Sequence, residues 1–244
     1  MFSGKPHRDC YNNCNLMFEL PIFPLNTVLF PGMPLRLHIF EHRYLSMMKH
    51  VLETNHTFGV CLIKTGQEAH GPLALPHPVG CTARVIQVDP LDDGRLNMTV
   101  VGDERFHILK TESSMPYLSA FVESIPLKSH HSMEVVRGTH VLRRRVTSYL
   151  ALLARITNNE EEAEALDLNF DITELELPED PMMLIYLSAA LLQVPPAEKQ
   201  PMLEADTAAL LLQQVQRVYR RELALLPSLI DISDDQARGS AWIN

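Results

Sequence analysis

The strongest constraint on the fold is a change of hydrophobic period near Pro126. Before that residue, apolar and polar side chains alternate, as in "RLNMTV", where Leu96, Met98 and Val100 share one face. Such alternation is typical of a strand with one buried face. In residues 131–156, apolar side chains instead recur at the spacing of an amphipathic helix. The sequence therefore predicts an α+β protein with a strand-rich first part and a helical second part.

Short strands are predicted along the whole first part of the chain. The predicted strands are 58–64, 82–88, 95–100, 106–111 and 117–125. The second and third are joined by "DPLDDG", which has the Asp-Gly and proline chemistry of a hairpin connection. Strands of this length and spacing favour a small barrel or a sandwich. One helix, at 41–54, interrupts the series, because its apolar residues fall at helical spacing.

The second part of the chain reads as a helical bundle. Asp180 followed by Pro181 has the form of an N-cap and a first-turn proline, and it opens a nearly all-apolar helix. A short helix is predicted at 196–205, and Asp206 is predicted to cap the last one. These helices follow the long amphipathic helix at 131–156. We therefore expect a β-rich domain at 17–127 and a helical domain at 128–230.

The two ends of the chain are expected to lie outside these domains. Residues 1–16 are predicted to be a flexible extension, and residues 231–244 a C-terminal tail. Cys10 and Cys14 in the extension lie near His7, but a zinc site there would need a fourth ligand, and it is not favoured. No apolar run is long enough to cross a membrane, and no secretory signal is apparent. A cytoplasmic location is therefore expected.

Charge is distributed unevenly along the chain. The net charge is −9, yet residues 158–180 hold ten acids and no lysine or arginine. This acidic segment is predicted either to dock by its alternating apolar side chains or to be a disordered linker. The rest of the chain is nearly neutral, and its one basic run, at 143–145, is interpreted as a solvated helix surface. The sequence shows no basic face of the kind that binds nucleic acid.

The stretch "HIFEH" at 38–42 fits the H-x-x-E-H pattern of zinc hydrolases. That pattern binds metal only when one helix carries both histidines on the same face. Leu35, Leu37 and Ile39 alternate with polar neighbours, which indicates a strand up to this point. We therefore expect His38 and His42 to lie on different elements. A zinc hydrolase using His38, Glu41 and His42 is kept as the alternative to a non-catalytic protein.

A longer stretch that includes these residues resembles a known family. "LPIFPLNTVLFPGMPLRLHIFEHRYLSMM" at 20–48 is similar to the opening signature of the N-terminal, substrate-binding domain of Lon proteases. "GDERF" at 102–106 and "EDPMMLIYLSAALLQVPPAEKQPMLE" resemble later motifs of the same family, so the similarity covers about 17–225. The resemblance implies a small β-barrel or pseudo-barrel of the PUA-like type followed by an α-helical bundle.

The family signature supplies candidate residues whose roles are expected to be mainly structural. They are Pro24, Phe30, Pro31, Gly32, Phe40, Glu41, Arg43, Tyr44, Gly102, Arg105 and Phe106. The prolines are expected at strand ends, bulges or edges, and the glycine before Met33 at a turn. The three aromatic residues at 40, 44 and 106 are predicted to be core anchors. The charged residues at 41, 43 and 105 are predicted to form a network that closes the barrel.

The same resemblance implies a function in protein recognition. The chain contains no G-x4-G-K-[ST] loop and no G-x-S-x-G elbow, so neither the ATPase nor the serine–lysine peptidase of Lon is expected. We expect a free-standing, non-catalytic module that binds unfolded or apolar protein segments, with a separate protease as a candidate partner and without cofactor, metal, nucleic acid or membrane. Leu29, Phe30 and Met33 are the predicted peptide contacts, and the junction between barrel and bundle is a second candidate site. Binding of RNA, suggested only by analogy with PUA-like folds, is disfavoured by the missing basic face.

Overall fold

The computed structural model describes residues 17–68, 74–128, 132–156 and 176–240, and strands precede helices along the chain except for one early helix. The strands are β1 (Met17–Leu25), β2 (Pro34–Ile39), β3 (Thr57–Thr65), β4 (Leu75–Pro76), β5 (Val79–Pro90), β6 (Leu96–Glu112) and β7 (Leu118–Ser124). The helices are α1 (His42–Glu53), α2 (Met133–Ile156), α3 (Pro181–Leu191), α4 (Pro196–Leu203) and α5 (Ala208–Ser240). The predicted α+β class is confirmed.

The strands pair in a closed circuit. Strand β1 runs antiparallel to β7 on one side and parallel to β3 on the other. Antiparallel pairs of β7 with β6, β6 with β5 and β5 with β3 complete the circuit. Two strands lie outside it: β4 pairs with β3, and β2 pairs with the first half of β6. The two halves of β6 therefore serve different neighbours, β2 at one end and β7 at the other.

One strand of the circuit is longer than the sequence predicted. The segments 95–100 and 106–111 were expected to be separate strands, but both belong to β6. Gly102 joins them, and its N–H donates to the carbonyl of Met33 at 2.9 Å while its own carbonyl accepts from Gly32 at 2.8 Å. Because the backbone of Gly102 stays hydrogen-bonded, β6 continues through this position instead of breaking.

Local signals fix the starts of the helices in the second part. The side chain of Asp180 accepts from the N–H of Met183 at 2.8 Å, so the predicted N-cap is confirmed. The cap predicted for the last helix is wrong by one residue. The hydroxyl of Thr207, rather than Asp206, accepts from the N–H of Leu210 at 3.2 Å.

A continuous apolar core runs between the strands and the helices. A single cluster of buried residues includes Phe30 and Val100 on the strand side and Leu142 and Leu211 on the helix side. Cys81 belongs to this cluster and Cys61 to a smaller one around Phe106, and both are buried free thiols whose pKa is raised by burial. The division into two domains remains a prediction. Most of the acidic segment 158–180, and all of residues 1–16, lie outside the described residues.

Arg105 connects the strands to the helices by hydrogen bonds. Its side chain, 4% exposed, donates from Nη1 to the carbonyls of Leu203 and Ala205, both at 2.6 Å, and from Nη2 to that of Ile125 at 2.9 Å. Burial lowers the pKa of the guanidinium, and nearby Asp206 partly opposes this effect. Arg105 therefore takes no part in the predicted charge network of residues 41, 43 and 105, of which only the pair of Glu41 and Arg43 forms a salt bridge. Arg105 is instead held by main-chain carbonyls at the end of β7 and between α4 and α5.

Lys199 on α4 donates a hydrogen bond to a main-chain carbonyl at the C-terminal end of α3. Its Nζ donates to the carbonyl of Ala190 at 2.8 Å, in the last turn of α3, where carbonyls lack a partner inside the helix. The described structure gives this ammonium no salt bridge to a carboxylate. Desolvation by burial lowers the pKa of Lys199 to about 8.

We expect Arg105→Met to lower the free energy of unfolding by about 3 kcal/mol, because three main-chain carbonyls would lose their donors in a buried environment. Equilibrium unfolding in urea measures this change. Arg84→Met is the matched control, since Arg84 lies exposed on β5 and should change stability by no more than about 0.5 kcal/mol. Equal effects of the two substitutions would contradict the role given to Arg105.

We expect the pH dependence of stability to reveal Lys199. Its folded-state pKa of about 8 lies below the ordinary lysine value of 10.5, so the unfolded chain binds more protons between these two values. The contribution of Lys199 to stability should therefore rise with pH across that window, from about 8 to 10.5. Urea unfolding of the protein and of Lys199→Met at several pH values isolates this contribution as a difference. A pH-independent difference would refute the assignment.

Candidate functional site

Strand β2 offers an unpaired edge beside an apolar groove. Among the described residues, β2 pairs only with β6, so the backbone groups on its other side have no strand partner. Alternate residues of a strand present N–H and C=O groups to each side, and an open edge can therefore accept another strand. This free side of β2 is the first element of the candidate site.

A groove of about 470 Å³ lies along this side of β2, and we call it the edge groove. It is lined by Phe23, Leu25, Arg36, Leu37, His38, Ile39, Phe40, Glu41, Tyr44 and Glu68. Consecutive residues of β2 form one wall. The end of β1, the connection from β2 into α1, and Glu68 after β3 form the rest, and no residue of β6 takes part. The groove therefore runs along the side of β2 that faces away from β6.

Aromatic rings form much of the groove. The rings of Phe23 and Tyr44 lie 4.2 Å apart between centroids, and both side chains are buried. Phe40 was predicted to be a core anchor, but it is 45% exposed, so that prediction is wrong. Phe40 follows β2 and continues its alternation on the outward side, where its ring centroid lies 6.0 Å from that of His38. Tyr44 and Phe106 are buried, as predicted.

Charged side chains hold the rim of the groove. Arg43 forms a salt bridge with Glu41 at 3.0 Å, and its Nη2 donates to the carbonyl of Glu68 at 3.3 Å. The guanidinium also lies 4.7 Å from the ring centroid of Tyr44, a cation–π arrangement. Burial raises the pKa of Tyr44, and the charge of Arg43 opposes this rise. The carboxylate of Glu68 accepts from the N–H of Asn26 at 3.0 Å. The rim is thus cross-linked from β1 to α1.

The residues assigned to peptide contact from the sequence do not line the groove. Leu29, Phe30 and Met33 are 4%, 0% and 7% exposed, because they fill the core beneath the turn before β2. Their assignment to peptide contact stays a prediction, and the edge groove is a different surface. Gly32 has a φ of 77°, as expected for a turn, and a Cβ added to Gly102 would lie 2.3 Å from the carbonyl oxygen of Phe30.

The remaining prolines and the last aromatic residue of the signature lie in turns, at strand ends or in the core. Pro31 is partly buried in the turn before β2, and Pro34 is the first residue of β2, which agrees with the prediction of strand ends. Pro24 is buried near the end of β1, opposite Cys61 of β3. Phe106 is fully buried, and its ring lies against the backbone of Gly59 and Gly80. None of these side chains forms part of the edge groove.

The two histidines of "HIFEH" lie on different elements, as predicted. His38 is on β2 and His42 is the first residue of α1. Arg95 donates to Nε2 of His38 at 3.1 Å, so Nδ1 carries the proton and donates to the side-chain oxygen of Asn97 at 2.7 Å. Both ring nitrogens of His38 are therefore engaged. Within the described ranges, no group of three histidine, cysteine or acidic side chains is placed to hold a metal ion.

Several residues of the groove carry no sequence signal of their own. Phe23, Leu25 and Leu37 read as ordinary alternating strand residues, and Glu68 lies in a polar stretch after β3. The sequence separation between Phe23 and Glu68 hides their proximity, which depends on the pairing of β1 with β3. The one available signal was the motif "FEHRY", whose phenylalanine, glutamate and tyrosine all line the groove.

The chain matches a family model described as the ATP-dependent protease La (LON) substrate-binding domain over residues 19–219. The Lon protease of Desulfosudis oleivorans is 25% identical over 213 residues, which are 85% of this chain and 24% of that protein. The Lon protease of Flavobacterium johnsoniae is 29% identical over 116 residues, 47% of this chain and 14% of that protein. The chain therefore spans about a quarter or less of the length of these relatives.

Two solved structures are similar in fold. A Lon N-terminal domain protein from Xanthomonas campestris superposes with a TM-score of 0.59 at 24% identity, over 82% of this chain and 98% of that one. The N-terminal domain of the Mycobacterium avium complex Lon protease gives a TM-score of 0.54 at 17% identity, over 83% and 98% of the two chains. At these identities the comparison concerns the fold.

Proposed function

Because the chain belongs to the family of Lon substrate-binding domains, we propose that it is a non-catalytic module that binds exposed apolar segments of other proteins. The edge groove is the site that we assign to this binding. The open edge of β2 beside an apolar groove is the observation that carries the proposal. The closed circuit of strand pairing supports the interpretation of the first part as a PUA-like small barrel.

The edge groove can recognise an extended segment without regard to its full sequence. A strand added to the free side of β2 gains main-chain hydrogen bonds, which are independent of side-chain identity. Its alternate side chains can enter the groove against Phe23, Phe40 and Tyr44. Burying an apolar side chain there contributes about 1.5–3 kcal/mol. Such a site selects unfolded or unpaired segments, since a folded domain hides both its apolar residues and its strand edges.

Relatives of this chain are proteases, which supports a role in delivering protein substrates. We propose that a separate protease is a partner, because the matched region corresponds to the substrate-binding part of the family. The alternative, a zinc hydrolase using residues 38, 41 and 42, gains no support, since both nitrogens of His38 are engaged by Asn97 and Arg95. In the described part of the chain, no helix is both long and apolar enough to cross a membrane. A cytoplasmic location remains a prediction.

We expect Phe40→Ala to weaken binding of a permanently unfolded probe, reduced and carboxymethylated α-lactalbumin, by about tenfold or more, because Phe40 supplies exposed aromatic surface in the groove. Fluorescence anisotropy of the labelled probe measures the Kd. Phe121→Ala is the matched control, since Phe121 is 39% exposed on β7 and does not line the edge groove. The proposal fails if both substitutions have the same effect, or if Phe40→Ala binds as the parent does.

A second expectation concerns the main-chain hydrogen bonds. A short peptide from the probe that binds the protein is N-methylated at the alternate residues whose N–H groups point toward β2. We expect its affinity to fall at least about tenfold. N-methylation of the intervening residues should have little effect, because their N–H groups point away from β2. Competition against the labelled probe measures both peptides. Equal affinities of the two methylated forms would exclude addition of a strand to β2.

A further inference from the structure

A second groove runs along the junction between the strands and the helices, and we call it the junction groove. It consists of two adjoining cavities of about 470 and 530 Å³. Both are lined by the segment 124–127, which follows β7, and by Arg105. Their apolar lining comes from Val79, Pro31, Ile125, Pro126, Leu127, Met182 and Tyr186. No residue of the edge groove takes part, so the two grooves are separate surfaces.

The junction groove is acidic. Four carboxylates line it, from Asp103, Glu104, Glu204 and Asp206, against the two cations of Arg105 and Lys128. All four acidic residues are exposed, whereas Arg105 is 4% exposed and its charge is directed at main-chain carbonyls. Within the described residues, none of the four forms a salt bridge with a lysine or arginine. Glu204 lies 3.7 Å from Nδ1 of His77, and Asp206 lies near Arg105. The solvent-facing rim still carries more negative than positive charge around an apolar floor.

The walls of this groove are preformed. Arg105 holds Ile125 on one wall and Leu203 and Ala205 on the other through its three hydrogen bonds. The N–H of Lys128 donates to the carbonyl of Asp206 at 3.1 Å, which joins the same two walls a second time. A partner would therefore bind without ordering the groove first, and preorganised surfaces lose less conformational entropy on binding.

We propose that the junction groove binds a basic, apolar segment of a partner protein. Leucine or proline side chains of that segment cover the apolar floor around Pro126 and Met182. Its lysine or arginine side chains face the carboxylates of Asp103, Glu104 and Asp206. Charge complementarity of this kind raises the rate of association and rejects acidic segments, which the net charge of −9 already repels. This second interaction surface is independent of the function assigned to the edge groove.

The test uses a short labelled peptide in which lysine alternates with leucine and proline, and a twin with every lysine replaced by glutamate. We expect Asp103→Lys combined with Asp206→Lys to raise the Kd of the lysine peptide about tenfold or more at low salt. The matched control is Glu53→Lys combined with Asp92→Lys, because both residues are exposed, lie outside the groove and change the net charge equally. The control should change the Kd less than about twofold, and the glutamate twin should not bind.

Three outcomes would overturn the proposal: equal weakening by the two double variants, binding of the glutamate twin as tight as that of the lysine peptide, or loss of lysine-peptide binding in Phe40→Ala. Cooperative unfolding in urea with the midpoint near that of the parent shows that the Asp103 and Asp206 variant is folded. If that variant does not fold, Asp103→Asn combined with Asp206→Asn takes its place. A weakening of about threefold or more is then expected, and unchanged binding overturns the proposal. Failure at the edge groove leaves these results unaffected, so the two proposals fail separately.

Discussion

A buried guanidinium is the interaction on which the arrangement of strands and helices depends. Arg105 comes from the middle of β6, yet its hydrogen bonds end on Ile125 after β7 and on Leu203 and Ala205 between α4 and α5. A positive charge held by main-chain carbonyls requires all of them in place, because each lost acceptor leaves part of the charge unsatisfied away from water. Burial of apolar surface stabilises the contact between strands and helices but does not depend on their relative orientation. The hydrogen bonds of Arg105 do depend on it, and they fix how the helices meet the strands.

A second constraint, at Gly102, explains why one strand edge remains open. The turn that contains Gly32 bonds to Gly102 through two main-chain hydrogen bonds, and a side chain at Gly102 would collide with the carbonyl of Phe30. This contact places β2 beside the first half of β6, outside the circuit formed by the other long strands. The signature motifs of the family thus serve to position β2. They hold a strand where its free side faces an aromatic groove, and the residues that build this arrangement are mostly not those that would touch a ligand.

The sequence predicted what depends on local chemistry and missed what depends on distant pairing. Asp180 with Pro181 identified a helix start, and alternation identified β6 residues such as Met98, since neither requires knowledge of a partner. Phe40 was misassigned to the core on its aromatic side chain alone, although the alternation of β2 puts it on the exposed side with Arg36 and His38. The edge groove could not be predicted from the sequence as a site. Its walls come from β1, β2, α1 and the end of β3, and only the three-dimensional pairing of β1 with β3 brings them together.

The parallel pairing of β1 with β3 has a consequence for biosynthesis. Strand β1 pairs with Gly59–Leu62 of β3 on one side and with residues of β7 near Val122 on the other. The side chain of Arg105 donates to a carbonyl as distant in sequence as that of Ala205. Contacts this far apart in sequence form slowly, and translation adds residues more slowly than a local turn closes. Until β7 has emerged, β1 lacks one of its two neighbouring strands. The nascent chain therefore exposes for a time an unpaired strand edge of the kind that we assign to its clients.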